Sequence, residues 1–385
     1  MFRPRGWHLT EQNLRCIDRE GRARSASASL VDFGLYAFHN ARELVARGSG
    51  PYFYLPKIES HLDARLWDDV FTFTENALGL THGTIRATVQ IETITAAFEM
   101  EEILFELKDH SAGLNLGRWD YLFSLIKHYR ARGRAWILPD RSEVTMSVPF
   151  MRACSELLVS TCHRRGAHAI GAMTSYVPDR RQRPEVTSLA LKQVAAEDRA
   201  EALDGYDGTW VAHPDLVALA RREFEAVMGS RDHQLDRLRD DVVVTEHNLL
   251  DIRMEGTVIT ADGIHHNVTV AMRYLDAWLR GEGSVVIDGI IEDMAAAEIS
   301  RSQLSQWIHQ GAITTDGLPV TKERVEWVID RTLMTLPRVD GDRLDDAAEL
   351  LKELVLGEPF RAFMSVPAYA RHLRTSAPAL VAHVA

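Results

Sequence analysis

Short strand-like runs alternate with amphipathic helical patterns over the first two-thirds of the chain, and few folds accept that order. The runs are PYFYLP (Pro51–Pro56), entered through the turn Arg47-Gly48-Ser49-Gly50, the β-branched TIRATVQIE (Thr84–Glu92), GLNLGRWDYLF (Gly113–Phe123), HAIGAM (His168–Met173) and GTWVAH (Gly208–His213). Between the first two, Leu62, Leu66, Val70 and Phe73 recur at helical spacing after Ser60, an N-cap candidate, and Gly79 stands where a C′ residue would. Pro149 suits the first position of a helix running to Gly166, and Asp32 suits the cap of one ending near Gly48. Strand and helix recurring at about thirty to fifty residues specify βα units and a parallel sheet, either a (β/α)8 barrel or a doubly wound sheet. Polar residues at strand ends, Lys57, Glu92 and Asp120, favour the barrel, which gathers its chemistry on that face from many strands. No GxGxxG follows the first strand and there is no Walker A, so dinucleotide and P-loop readings find no support.

Past residue 230 the strand signal fades. VTEHNLLD, HHNVTVAMRYLDAWLRG, DMAAAEISRSQLSQWIHQ and LDDAAELLKELVLG all carry helical patterns. The expected division is a barrel portion over 1–229 and an all-helical domain over 230–385, which suits a chain of 385 residues. No fixed-period repeat or low-complexity tract interrupts it. QVAAEDRAEALDG and RDHQLDRLRDD mix charges at helical spacing, the pattern of solvated faces.

Charge narrows the function classes. Lys and Arg number 44 against 55 Asp and Glu, a formal charge of −11. So acidic a chain is a poor generic partner for nucleic acid or an anionic membrane, and an anionic ligand needs a local cation, a metal or backbone N–H groups. Three cysteines without CxxC spacing argue against a disulfide framework and a cysteine zinc site. There is no apolar run of membrane-spanning length, no apolar core in the N-terminal MFRPRGWHLTEQN and no peroxisomal tripeptide, so the cytoplasm is the expected compartment.

Several residues could carry chemistry. Glu92 and Asp120 end neighbouring strands and could converge on one hard cation such as Mg²⁺, although an acid at a strand end is more often simply hydrogen-bonded. Gly113 and Gly117 flank an apolar, aromatic segment, implying a close backbone approach or a bulge in a buried strand. Arg5 precedes the bulky Gly6-Trp7-His8, and Asp293 stands where an N-cap would, ahead of MAAAEISRSQ. The sixteen histidines include His265-His266 and His163/His168, neither pair matching HExxH or a zinc spacing.

These segments resemble malate synthase of the A class. KDHSAGLNLGRWDYLF (Lys108–Phe123) is similar to that family's signature from end to end. PRGWHL (Pro4–Leu9), GSGPYFYLPK (Gly48–Lys57), GTIRATVQIET (Gly83–Thr93), TCHRRGAHAIG (Thr161–Gly171), DGTWVAHP (Asp207–Pro214) and EDMAAAEISRSQLSQWIH (Glu292–His309) match in order, so the likeness covers nearly the whole chain. The resemblance implies Mg²⁺-dependent acyl transfer in the glyoxylate cycle: acetyl-CoA, glyoxylate and water give malate and CoA by Claisen condensation and thioester hydrolysis. It implies a (β/α)8 TIM barrel followed by a helical C-terminal domain that brings its own acid to the barrel mouth.

By similarity, Asp293 is the base that takes a proton from the acetyl methyl group, and a water-poor site that raises a carboxylate's pKa suits that task. Arg5 supplies permanent positive charge to the enolate oxygen. Glu92 and Asp120 hold Mg²⁺, which polarises the glyoxylate aldehyde. Backbone N–H groups of Arg118, Trp119 and Asp120 hold the substrate carboxylate, and the loop Trp210–Pro214 lies along the CoA arm.

The chain departs from the family pattern at its start, which falls almost on PRGWH. The resemblance then implies about six of the eight barrel strands, with Arg5 on the third. An open arc of parallel strands leaves unpaired edges. A misplaced start site, a gene split so that a separate polypeptide supplies the first strands, and a degenerate remnant compete as explanations, and the intact catalytic positions favour the first two. A related barrel lyase acting on another acyl-CoA, and a non-catalytic subunit, are the other functions this sequence accommodates.

Overall fold

The computed structural model describes residues 1–178, 184–373 and 380–383. Two antiparallel strands, β1 (Thr10–Ile17) and β2 (Ala23–Ser27), open the chain, and β10 (Leu380–His383) adds in parallel to β1. Then follow α1 (Ala28–Ala46), β3 (Tyr52–Leu55), α2 (His61–Leu78), β4 (Arg86–Ile91), α3 (Ile94–Ala97), α4 (Met100–Glu106), β5 (Ser111–Leu116), α5 (Arg118–Tyr129), α6 (Pro149–Arg164), β6 (His168–Thr174), α7 (Pro184–Asp204), β7 (Gly208–Val211) and α8 (Val217–Met228). The strands β3-β4-β5-β6-β7 form one parallel sheet in sequence order, which is the order of a curling barrel wall. Phe2 bridges Phe53 in parallel and continues the wall beyond β3.

Local chemistry sets the boundaries. Ser60 and Asp63 close a capping box on α2, and Gly79 ends it in the left-handed conformation. Pro149 is the first residue of α6. The first helix differs from expectation: its cap is Ser27, one turn ahead of Asp32, which frees the Asp32 carboxylate for another partner. The run Gly113–Phe123 also differs, because it is not one strand. It pairs only to Leu116 and turns at Gly117, and Arg118 begins a helix whose Tyr121, Leu122, Leu125 and Ile126 are buried at helical spacing. At Gly113 the register with β4 shifts, and a Cβ there would stand 2.0 Å from the His168 carbonyl oxygen, so the strands touch backbone to backbone.

The remaining elements include α9 (Glu246–Leu250), α10 (Ala261–Leu279), β8 (Val285–Ile287), β9 (Ile290–Glu292), α11 (Met294–His309), α12 (Lys322–Thr335), α13 (Leu344–Leu356) and α14 (Ser365–Ala368). Two apolar cores result. One runs from Phe33 to Ile252 under the sheet, and the other unites α10, α11, α12 and α13 around Trp307, Leu275 and Leu351. The second unit is not all-helical, as expected, but carries the hairpin β8–β9. Its short apolar runs pair locally, and its turn is stitched to the barrel: Ile291 donates to the Ser175 carbonyl and Val177 to that of Gly289, just beyond β6. One supposed solvated face is corrected as well. In α7, Asp198 and Glu201 point inward, where Thr174 donates to Asp198 and the Ala172 N–H to Glu201. Burial pushes the Asp198 carboxyl up to about 6 and that of Glu201 up to about 8. Among the described residues no helix is long and apolar enough to cross a membrane.

Candidate active site at the mouth of the barrel

Two acids and a lysine meet where β3, β4 and β5 end. Glu92 follows β4 directly, and Asp120 lies in the first turn of α5. Both carboxylates are buried, with 0% and 4% of the side chain exposed. Lys57, just past β3, binds them together. Its ammonium lies 2.5 Å from Asp120 Oδ2 and 3.5 Å from Glu92 Oε1, and its backbone N–H donates to Glu92 Oε1 at 2.6 Å. This residue adopts φ 58°, a conformation that side chains avoid unless the surroundings enforce it. Sequence reading marked Lys57 as a polar strand end without a role; a left-handed lysine leaves no mark in composition.

The electrostatics couple these groups. Burial works against the charge on Lys57, but Asp120 and Glu92 outweigh it and raise its pKa. Burial likewise opposes ionisation of Glu92, yet Lys57 and Arg3 hold its carboxyl below the usual range. Asp120 goes the other way, because burial pushes it up and the Glu92 charge adds to that. Glu92 Oε2 and Asp120 Oδ1 are buried and accept no hydrogen bond among the described residues. Bare carboxylate oxygens of this kind are the donor set a hard divalent cation takes, with the remaining positions left to water or ligand oxygens.

The arginine at this site is Arg3, which corrects the expectation for Arg5. Both Nε and Nη2 of Arg5 donate to Asp32, at 2.8 and 2.7 Å, and its own N–H reaches the same carboxylate at 2.9 Å. Its Nη1 donates to Glu11 at 3.0 Å. Every donor group of that guanidinium thus faces α1 and β1, away from the barrel mouth. Arg3 Nη2 lies 3.8 Å from Glu92 Oε2, and its guanidinium stacks over Tyr54 at 5.6 Å. Burial works against the charge on Arg3, but Glu92, Asp293 and Asp120 outweigh it and raise its pKa.

Asp293 arrives from the other unit. It caps α11, its Oδ1 accepting from Ala295 N–H at 2.9 Å, directly after the hairpin pinned beyond β6. The charges of Asp293 and Asp120, with that of Arg3 opposing, reach the buried hydroxyls of both Tyr54 and Tyr274, so these groups are electrostatic neighbours. The neighbouring Glu292 is taken up by Arg141. Helix α11 is seated by side chain to backbone bonds: Gln303 donates to the Pro139 carbonyl and Trp307 to that of Leu138, at 2.6 and 2.8 Å. A buried Glu298–Arg301 pair ties the same helix to the backbone of Met364 and Arg361.

The remaining expected residues lie on α5, on β7 and in the turn after β7. Helix α5 starts at Arg118 with Gly117 as its cap and no side-chain cap bond, so the N–H groups of Arg118, Trp119 and Asp120 lie at a helix N-terminus open to an anion. A Cβ on Gly117 would meet Gln90 Nε2 at 2.6 Å and Glu92 Cβ at 2.9 Å, which explains glycine there. Trp119 is held between the guanidinium groups of Arg118 and Arg141, at 4.0 and 4.8 Å. On β7, Trp210 packs against Tyr54 at 4.3 Å, and Pro214 begins the short turn after the strand.

Comparison with known proteins agrees with this geometry. The family model for the malate synthase TIM barrel domain matches residues 1–252, and that for the malate synthase C-terminal domain matches 258–372. The chain is 51% identical to malate synthase of Streptomyces clavuligerus over 96% of its own length and 69% of the relative's. It is 42% identical to malate synthase A of Escherichia coli, over 95% and 68%. The fold is similar to that of Haloferax volcanii malate synthase in its pyruvate/acetyl-CoA ternary complex, with a TM-score of 0.51 at 15% identity, over 84% of this chain and 79% of that one. An arc of parallel strands bearing paired acids, closed by a second unit that delivers an aspartate, together with two family models spanning most of the sequence, establishes that the chain belongs to the malate synthase family.

Proposed function

We propose that this protein condenses acetyl-CoA with glyoxylate and hydrolyses the resulting thioester, giving malate and CoA for the glyoxylate cycle. One observation carries the reading. The buried Glu92 and Asp120 carboxylates each keep one oxygen without a hydrogen bond among the described residues, the Arg3 guanidinium lies 3.8 Å from that of Glu92, and the charge of Asp293 acts on the same arginine. Glu92 and Asp120 would hold Mg²⁺, which when bound supplies Lewis-acid polarisation of an α-oxo carbonyl.

The chain's own groups divide the rest of the work. The first-turn N–H groups of α5 bind the glyoxylate carboxylate, and Gly117 keeps that approach clear. Asp293 accepts a proton from the acetyl methyl carbon. Arg3, held protonated by the acids around it, faces the enolate oxygen that this proton loss creates. The enolate carbon then attacks the glyoxylate aldehyde carbon, and water cleaves the thioester to release CoA. Trp210, packed on Tyr54, offers an apolar wall for the pantetheine arm, with the turn at Pro214 beyond it. The names of the relatives, malate synthases at 42–51% identity, support this reaction.

Thiol release followed with a disulfide reagent tests the proposal. Release is expected to need acetyl-CoA, glyoxylate and Mg²⁺ together, and Asp293→Asn is expected to abolish it while leaving the thermal melt in place. Glyoxylate-dependent release that survives Asp293→Asn would remove Asp293 from the role of base.

A further inference from the structure

On the opposite end of the strands, far from the mouth, two histidines and a glutamate converge. Glu75 stands in the last turn of α2, His82 in the turn leading to β4, and His110 immediately precedes β5. Their ligand atoms all lie within 4.8 Å of one another. His110 Nε2 is 3.1 Å from Glu75 Oε2, and His82 Nδ1 is 3.3 Å from the same oxygen. Glu75 is fixed in place, because the N–H groups of Gly83 and Ile85 donate to its two oxygens at 3.0 and 2.7 Å. His110 is fully buried, while His82 is 55% exposed and opens the cluster to solvent.

The far nitrogens of both rings decide what the near ones can do. His110 Nδ1 is 2.7 Å from Asp68 Oδ1, and His82 Nε2 is turned toward Asp109 at 3.7 Å. A neutral imidazole that donates to its outer carboxylate presents a lone pair inward, toward an oxygen that is itself an acceptor. For His110, hydrogen-bonded to Asp68, that lone pair faces Glu75 Oε2, while Asp109 is too far from His82 to fix its tautomer and leaves its Nδ1 able to offer a lone pair as well. Without a metal, protonation of His110 relieves this by creating a buried cation, and protonation of His82 as well would set two cations 5.0 Å apart, ring centre to ring centre. One divalent ion satisfies all three inner atoms at once. Tetrahedral Zn²⁺, with bonds of about 2.0–2.1 Å, sets its ligands roughly 3.3 Å apart, close to the two separations found here. The carboxylate of Asp68 behind His110 is also the usual outer shell of such ions.

The geometry points to a second metal site, Glu75–His82–His110, that takes a borderline-soft divalent cation of the Zn²⁺ class with water as the fourth ligand. Its nitrogen donors separate it from the all-oxygen pair at the barrel mouth, which suits Mg²⁺. It joins a helix end, a turn and a strand start on the face of the barrel that serves stability, so its role is a clamp on the wall.

Co²⁺ is a suitable probe, since tetrahedral Co²⁺ gives intense visible bands. Metal-stripped protein in saturating Mg²⁺ is titrated with Co²⁺ and then with Zn²⁺. The expected result is a single Co²⁺ per chain with tetrahedral bands, bleached by Zn²⁺, and a rise in melting temperature on loading. His82→Ala, at an exposed position, is expected to keep the metal-free melt and lose both the bands and the rise, whereas Glu92→Gln keeps both. Absence of tetrahedral bands, bands that persist in His82→Ala, or bands lost in Glu92→Gln would each overturn the site.

Discussion

Two arginines stand two positions apart near the start of the chain, and the structure gives them opposite tasks. Arg3→Ala removes the guanidinium beside Glu92, while Lys57 continues to neutralise the two acids. Loss of a fixed positive charge aimed at a developing oxyanion costs about 10²–10³ in turnover, or roughly 3–4 kcal/mol of barrier. Its effect on folding should stay under about 1 kcal/mol, since the Arg3 side chain keeps 41% of its exposure. Arg5→Ala does the reverse. It removes three charge-assisted side-chain bonds and leaves Asp32 and Glu11 partly buried without their cation. With 32% of the Arg5 side chain exposed, solvent screens part of this, and about 2 kcal/mol of stability is the expected loss. Urea unfolding and steady-state thiol release on both variants separate the two effects. Arg3→Ala should keep its midpoint and lose kcat, and Arg3→Lys should recover part of that loss. Arg5→Ala should lower the midpoint with kcat within about threefold, under 1 kcal/mol of barrier. If Arg5→Ala lost turnover by two orders of magnitude while Arg3→Ala retained it, the assignment drawn from these contacts would be wrong.

Lys57→Met leaves Glu92 and Asp120 facing each other without the ammonium between them, so it should melt lower than the parent in chelator and gain more from added Mg²⁺, by calorimetry with and without the ion. Asp207 gives a pH prediction. Burial pushes its carboxyl up, but His163, His168 and the N–H groups of Gln234 and Ala169 outweigh this and hold it well below the usual range. A depressed folded pKa adds stability that is full above the unfolded value, about 3.9, and is lost as pH falls toward the folded one. Asp207→Asn should therefore be less stable at neutral pH, by about 2–3 kcal/mol, and the gap to the parent should close below pH 3 in urea titrations.

What the sequence made legible follows from how local each signal is. The caps of α2 and the start of α6 depend on a few adjacent residues, and Ser60, Gly79 and Pro149 declare them. The parallel wall follows from the alternation of runs. The extent of β5 was misread because Gly113–Phe123 is apolar throughout, and an apolar run alone does not tell a buried strand from the first turns of a buried helix. Glu92 does follow a strand, but Asp120 lies in the first turn of α5, so it is the family resemblance, not strand-end spacing, that pairs the two acids. The sequence points to Arg5 and not to Arg3, since what takes Arg5 out of the site is Asp32, which is distant in sequence and suits a helix cap. The Glu75–His82–His110 cluster spans three elements and matches no linear spacing, so it emerges only once α2 and β5 are side by side.

The adjacent acids Glu292 and Asp293 show how packing assigns a role that composition leaves open. Either could serve as a base: Glu292 ends the hairpin strand β9 and Asp293 follows it as the cap of α11. Glu292 turns back to the buried Arg141, whose guanidinium also lies over Trp119, so its charge is spent in holding the hairpin to the loop after α5. Asp293 begins α11, and a cap position spends only one carboxylate oxygen, on the Ala295 N–H. Because the hairpin is bonded to Ser175 and Val177 beyond β6, and α11 is bonded to Leu138 and Pro139 beyond α5, the aspartate between them is held from both sides over the mouth of the barrel. The ion pair thus orients its neighbour, and loss of Arg141 would be expected to displace the base without touching it.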